Sequence, residues 1–283
     1  MLLVKTASLV LTIIFSQSLC CTMIYLLYAV FCSKRIAFRP SLSIFYCRFI
    51  IDVFLTLSVS INKAYFLVIS LFNQYAVKNL ALILIIPSLM IATMRYTLGF
   101  LITFDRLLAI YFPISYHLHR QKVSIYFIIF ILIFSAAFNQ YVLFGYCGNS
   151  IDVPLECDDF KCTVNSCYYN YYLTQEQIVH FVIGAMTVIL CARLFIMYLT
   201  AKSEVTKFLS QATRVALLDS LTIFTFFILP SFAYAQFPAT DFEIFGPLLA
   251  LFKRVGALIE AVFICRIFLR EKNTAPNTIS PMS

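Results

Sequence analysis

Residues 80–120 read LALILIIPSLMIATMRYTLGFLITFDRLLAIYFPISYHLHR. From Leu80 to Phe112 only three charged residues interrupt the apolar run: Arg95, Asp105 and Arg106. A bilayer core takes about 20 apolar residues to cross at a helical rise of about 1.5 Å each. The run exceeds that length, so it reads as a membrane-crossing helix. An acid–base doublet stands at its foot, and Pro113 and Arg120 mark the exit from the apolar phase.

The rest of the chain has the same character. Its 283 residues are 62% hydrophobic and 12% charged, with a mean hydropathy of +0.92. Soluble domains are roughly 45–50% apolar and about 25% charged, and no globule of this size hides such an excess. Continuous apolar runs near 8–32, 42–66, 80–112, 123–146, 177–199, 215–237 and 244–268 are too long for barrel strands, which would alternate over about ten residues. The expected fold is therefore an all-α bundle of seven transmembrane helices. The first run is longer than a secretion-signal core and lacks a cleavage site, so it is read as a retained span. With six Gly, nine Pro and no internal repeat, one membrane domain is expected over 1–272, followed by a short tail at 273–283. Thr274, Thr278, Ser280 and Ser283 are candidate phosphorylation sites there.

Charge sets a direction. Lys34, Arg35, Arg39, Arg106, Arg120 and Lys122 fall on one side with Arg193, Lys202, Lys207, Arg214, Arg266, Arg270 and Lys272, against Lys5, Lys63, Lys78 and Lys161 on the other. Thirteen basic residues against four predict an extracellular N-terminus and a cytoplasmic C-terminus. The basic excess then faces the anionic inner leaflet, which accounts for a pI near 9.0 without nucleic acid. Cys147, Cys157, Cys162 and Cys167 share the 147–176 segment on the oxidising side, so disulfides are expected there. Three pairings stay open, with a zinc site as the alternative. No other metal or cofactor is expected.

Ionisable residues within spans cost roughly 2.5–3.5 kcal/mol each and tend to face partners. Counting rise from the cytosolic face puts Asp52 and Arg95 at about 16 Å, Arg48 and Glu260 at about 9–10 Å, and Asp219 at about 7 Å. This suggests three rungs: Asp52 with Arg95, Arg48 with Glu260, and Arg106 with Asp105 and Asp219. Alternatively Arg48 and Asp52, at i,i+4, satisfy each other, and Asp219 reaches headgroup water. Lys253 and Arg254 lie about 14 Å below the outer end of the last span. They suit an anionic ligand, or they pair with acids from other helices or the outer loop. His180 reads as an interfacial histidine or a ligand contact. Tyr168, Tyr169, Tyr171 and Tyr172 read as an aromatic belt or a lid.

Asp105-Arg106, then Ala109-Ile110, Pro113 and Tyr116, resemble the motif at the cytosolic foot of helix three in rhodopsin-like G-protein-coupled receptors. Leu107 stands where Tyr is usual. Nearer likenesses are YCRFIIDVFLTLS, KCTVNSCYYNYY, RVALLDSLTIFTFFILPSFAYAQFP and GALIEAVFICR, which are similar to nematode serpentine receptors of class BC. The resemblance implies a chemosensory receptor in the plasma membrane of sensory neurons or cilia, signalling through a heterotrimeric G protein. It implies a coupling role for Asp105, Arg106, Pro113 and Tyr116, and a helix-six switch at Pro230. Asp52 corresponds to a helix-two aspartate that often binds sodium, so a nearby Arg95 predicts indifference to that ion. Departures are a helix seven without Asn-Pro-x-x-Tyr and a helix six without Trp before Pro230. There is also no Cys between Cys47 and Cys147 to tie helix three to the outer loop.

Catalysis is not expected, since no phosphate loop or nucleophile–base pair is legible. The competing reading is a seven-span transporter or ligand-gated channel using the intramembrane charges. Expected partners are a small-molecule ligand (anionic if Lys253 and Arg254 face it), a heterotrimeric G protein, the bilayer, and a second receptor in a homo- or hetero-oligomer.

Overall fold

A computed structural model of the chain describes residues 2–33, 42–120, 124–155, 157, 160–200, 215, 217–218, 221–230 and 242–270. Their α-helices include α1 (Leu2–Phe31), α2 (Ser43–Leu71), α3 (Leu80–Tyr111), α4 (Pro113–Arg120), α5 (Ile125–Gln140), α6 (Phe160–Thr163), α7 (Ser166–Thr200) and α8 (Phe242–Arg270), and the sixth span is helical over 221–230. Among the described residues there is no strand. Five stretches are long and apolar enough to cross a membrane: Thr6–Phe31, Ser43–Leu71, Leu80–Tyr111, Ile125–Tyr146 and Ser166–Ile196. The last helix is long enough too, but Lys253, Arg254 and Glu260 crowd its middle. Of the sixth expected run only part is described, and Asp219 lies outside the described residues.

Local chemistry explains the ends. Asn79 takes a left-handed φ of 64° before α3, a conformation that Asn tolerates better than most residues. Its side-chain oxygen accepts the Val153 N–H at 3.0 Å, which ties the segment after α5 to the start of α3, where no cysteine is available. Asn165 caps α7 by accepting the Tyr168 N–H at 2.9 Å and donates to the Cys147 carbonyl at 2.6 Å. The disulfides pair Cys147 with Cys167 and Cys157 with Cys162, leaving no thiolate for the zinc alternative. Capped and stapled there, α7 starts at Ser166, well before the expected 177. The tyrosine-rich stretch is therefore helix, not loop.

Hydroxyls inside the spans fold back onto their own helices, as Thr56 does to Asp52 O at 2.8 Å and Thr93 to Leu89 O at 2.9 Å. In hydrocarbon no water exists to take that role. The outward face of α5 is bare: Tyr126, Phe127, Phe130 and Phe134 are each more than half exposed. Such a face fits lipid and would be untenable in water.

α3 is central, touching α2, α5 and α7, while α1 lies against α2 and α8. Two apolar clusters divide the bundle. One gathers Phe45, Phe49, Leu98, Ile102, Ala261 and Phe268 towards the Tyr111 end of α3. The other gathers Phe66, Leu82, Ile85, Leu89, Leu143 and Tyr168 towards its Leu80 end. Polar and charged residues occupy the level between them.

The sixth span, helical over residues 221–230, is irregular just before Pro230. Pro230 has no N–H to give and crowds the carbonyl four residues earlier, Phe226. The chain widens to a π-turn over Phe224–Ile228, where the Leu229 N–H reaches Phe224 O. Phe226 then seats directly on Gly256 of α8: a β-carbon there would lie 2.5 Å from Phe226 Cγ. Gly256→Ala should cost about 1–3 kcal/mol through overpacking. It is expected to lower the thermal midpoint of the detergent-solubilised protein, and Phe226→Ala in the same chain should recover part of the loss. A Gly256→Ala protein melting like wild type would contradict the close approach.

Candidate functional site

The level between the apolar clusters is ionic. Arg95 on α3 places Nε 2.7 Å from Asp52 Oδ1 on α2. Arg48, one turn before Asp52 and 1% exposed, is hydrogen-bonded to Glu260 of α8. Its Nε also lies 3.5 Å from Asp52 Oδ2. Both readings of Arg48 therefore have a geometric counterpart: it reaches across to α8 and along its own helix. Gly99 leaves room for the Arg95 side chain, since a β-carbon there would meet Arg95 Nη1 at 3.2 Å.

A third ion pair involves a residue that the sequence places in the 147–176 segment, before the expected start of the span at 177. Glu176, 8% exposed, binds Lys253 of α8 and accepts the Tyr96 hydroxyl at 3.0 Å. It was missed because the stretch before it is tyrosine-rich and polar, so the helix start was set too late. With α7 starting at Ser166, Glu176 falls three turns inside the helix and faces the bundle. His180, one turn further on and buried, sets its ring edge-on to Tyr96 at 5.1 Å.

These groups border a cavity of about 180 Å³. Asp52, Arg95, Tyr96, Tyr172, His180, Lys253, Arg254 and Glu260 contribute its polar wall; Leu19, Met23, Leu55, Leu89, Ile183 and Ile223 contribute the apolar one. Pockets of mainly apolar lining with a few convergent polar groups are the usual form of a small-molecule site. The tyrosines divide by role. Tyr172 lines the cavity, whereas Tyr168 is fully buried and donates to Asn139, which donates to Thr93 Oγ1 at 2.5 Å. Tyr168 is thus an anchor between α3, α5 and α7, which corrects the belt reading for that residue.

A second charged cluster sits at the other end of α3. Arg106, 6% exposed, is bonded to Asp105 and donates to Tyr116 Oη at 2.8 Å; that hydroxyl donates to Asp105 Oδ2 at 3.0 Å. Pro113 starts α4 and so turns the chain to bring Tyr116 back onto the doublet. The first helical position suits proline, whose missing N–H would have no partner there. Arg193 on α7 lies over the Tyr111 ring at 5.6 Å nearby. Pro230 is not part of this cluster, and Asp219 is outside the described residues. Among the described residues no group of three His, Cys, Asp or Glu is placed to hold a metal.

A family model described as serpentine type 7TM GPCR chemoreceptor Srbc matches residues 1–272. No curated protein matches the chain.

Breaking one side of a buried pair leaves an uncompensated charge, at about 3–5 kcal/mol, whereas removing both sides is often near neutral. Arg95→Leu should therefore cut cell-surface expression severely, and Asp52→Leu with Arg95→Leu should restore much of it. Surface immunostaining of the two variants tests this; equal losses would show that the pair is not what holds the layer. Because Arg95 already supplies the cation at Asp52, replacing sodium by an organic cation should leave the melting curve unchanged.

Proposed function

The chain belongs to the serpentine type 7TM GPCR chemoreceptor Srbc family, and from that premise we propose that it is a plasma-membrane chemosensory receptor. Its N-terminus faces outward and its C-terminus the cytosol. A small molecule enters the cavity between α1, α2, α3, α7 and α8, and the Asp105–Arg106–Tyr116 cluster answers to a heterotrimeric G protein.

One observation carries this reading: α3 lines the cavity at Arg95 and Tyr96 and bears the clasped Arg106 eleven residues later. That separation is about 16 Å along one rigid helix. A ligand that favours one packing of the bundle shifts the population of states to the extent that it binds that packing more tightly. In the clasped state Arg106 is spent on Asp105 and Tyr116. Once released, its guanidinium offers planar donors to an entering protein segment. The thirteen-to-four basic bias supports the direction. The family's chemoreceptor character supports expression in sensory neurons or their cilia.

Cells expressing the chain should give a second-messenger response to at least one compound of a small-molecule panel. Arg106→Ala should abolish that response while leaving surface expression within about twofold, because Asp105 at the membrane edge can turn to headgroup water. An epitope on the N-terminus should be stained without permeabilisation. Staining only after permeabilisation would reverse the topology and end the coupling account. Ligand-gated current that persists without G protein would favour the channel alternative.

A further inference from the structure

The cavity's charges are unevenly committed. Asp52 is held by Arg95 and Arg48, Glu260 by Arg48, and Glu176 by Lys253 and Tyr96. Arg254 lines the same cavity and takes part in none of the hydrogen bonds or ion pairs seen among the described residues. Asp52 and Glu176 act on it electrostatically, but their oxygens are engaged elsewhere. Among the described residues around the cavity, Arg48, Arg95, Lys253 and Arg254 face Asp52, Glu176 and Glu260. That is four cations against three acids, with an apolar cluster towards each end of α3.

We propose that this cavity binds an organic monoanion with a compact apolar body, a monocarboxylate being the simplest, whose charged end is held by Arg254. The inference rests on the receptor reading above and deepens it. A single negative charge neutralises the surplus cation, and a guanidinium takes a carboxylate through two parallel hydrogen bonds. The apolar body lies against Leu19, Met23, Leu55, Leu89 and Ile223. The cavity, at about 180 Å³, is many times the roughly 10–15 Å³ that admits one water, so it is too large for an inorganic ion to fill. Lys253 is not the anion's partner, because Glu176 already holds it.

The neighbours Lys253 and Arg254 therefore behave oppositely when neutralised. Lys253→Gln strands Glu176 and should lower the thermal midpoint of the unliganded protein. Arg254→Gln removes the surplus charge and should leave that midpoint unchanged or raised. The probes are the straight-chain carboxylates from propionate to octanoate, with benzoate, each beside its matching primary alcohol, on purified detergent-solubilised full chain in sulfate buffer. At least one carboxylate should raise the wild-type midpoint by about 5 °C near saturation, its alcohol should not, and Arg254→Gln should abolish the shift.

The proposal is overturned if no carboxylate shifts the midpoint, or if the shift survives in Arg254→Gln. It is also overturned if chloride shifts it equally, or if Arg254→Gln destabilises the unliganded protein as much as Lys253→Gln. The receptor reading fails separately: carboxylates that bind but evoke no second messenger sink it and spare the site. A cellular response to neutral compounds alone sinks the site and spares the receptor.

Discussion

Charge inside an apolar phase is the constraint on which the bundle depends. Lipid tails are as apolar as Leu and Phe, so apolar side chains gain little by choosing another helix over lipid. Charged groups have no such indifference, since each costs roughly 2.5–3.5 kcal/mol without a partner. Asp52–Arg95 joins α2 to α3, Arg48–Glu260 joins α2 to α8, and Glu176–Lys253 joins α7 to α8. Satisfying all three fixes the rotation of four helices about their own axes. Leucine packing alone would leave that rotation loosely set. α2 carries both signs one turn apart, at Arg48 and Asp52, and so serves as the hub between its neighbours.

The second charged cluster is built differently. Asp105 and Arg106 are adjacent on α3, and Tyr116 comes from α4 directly after it. Its members are local in sequence, so it can open without disturbing any contact of the ionic layer. α3 contributes charged residues to both levels, Arg95 to the layer and Asp105 with Arg106 to the foot. A change in how α3 sits against α2 and α7 is thus felt at both, while exchange of partners at the foot leaves the layer closed. Under the proposed receptor reading, that asymmetry gives a stable frame in the middle and a clasp at one end that can exchange partners.

Much of this was legible in the sequence because helical rise converts residue number into depth. Counting put Asp52 level with Arg95 and Arg48 level with Glu260, and in the structure the members of each pair are in contact. Counting needs a known helix end, and there it failed. The start of α7 is set by the Asn165 cap and the Cys147–Cys167 staple, neither of which has a periodic signature. Glu176 was consequently left in the loop, and the partner of Lys253 with it. Tyr168 was misread for a related reason: four clustered tyrosines look alike in sequence, and only the helix phase separates the one that reaches Asn139 from the one that lines the cavity. The disulfide pairing was beyond sequence, since four cysteines in one loop differ only in three-dimensional proximity.

Helix six closes the argument about how a cavity event reaches the rest of the bundle. Ile223 is part of the cavity wall, and the π-turn forced by Pro230 begins at the next residue. Within that turn Phe226 rests on Gly256, two residues beyond Arg254 on α8. On α8 the surplus cation and the glycine under Phe226 are two residues apart, and on the sixth span Ile223 of the cavity wall is three residues before Phe226. A ligand can shift a two-state helix packing only through contacts that differ between the states. π-turns of this kind recur at functional sites because the widened backbone has already given up a regular hydrogen bond. Here the missing proline donor supplies the irregularity, and the glycine lets the aromatic ring use it.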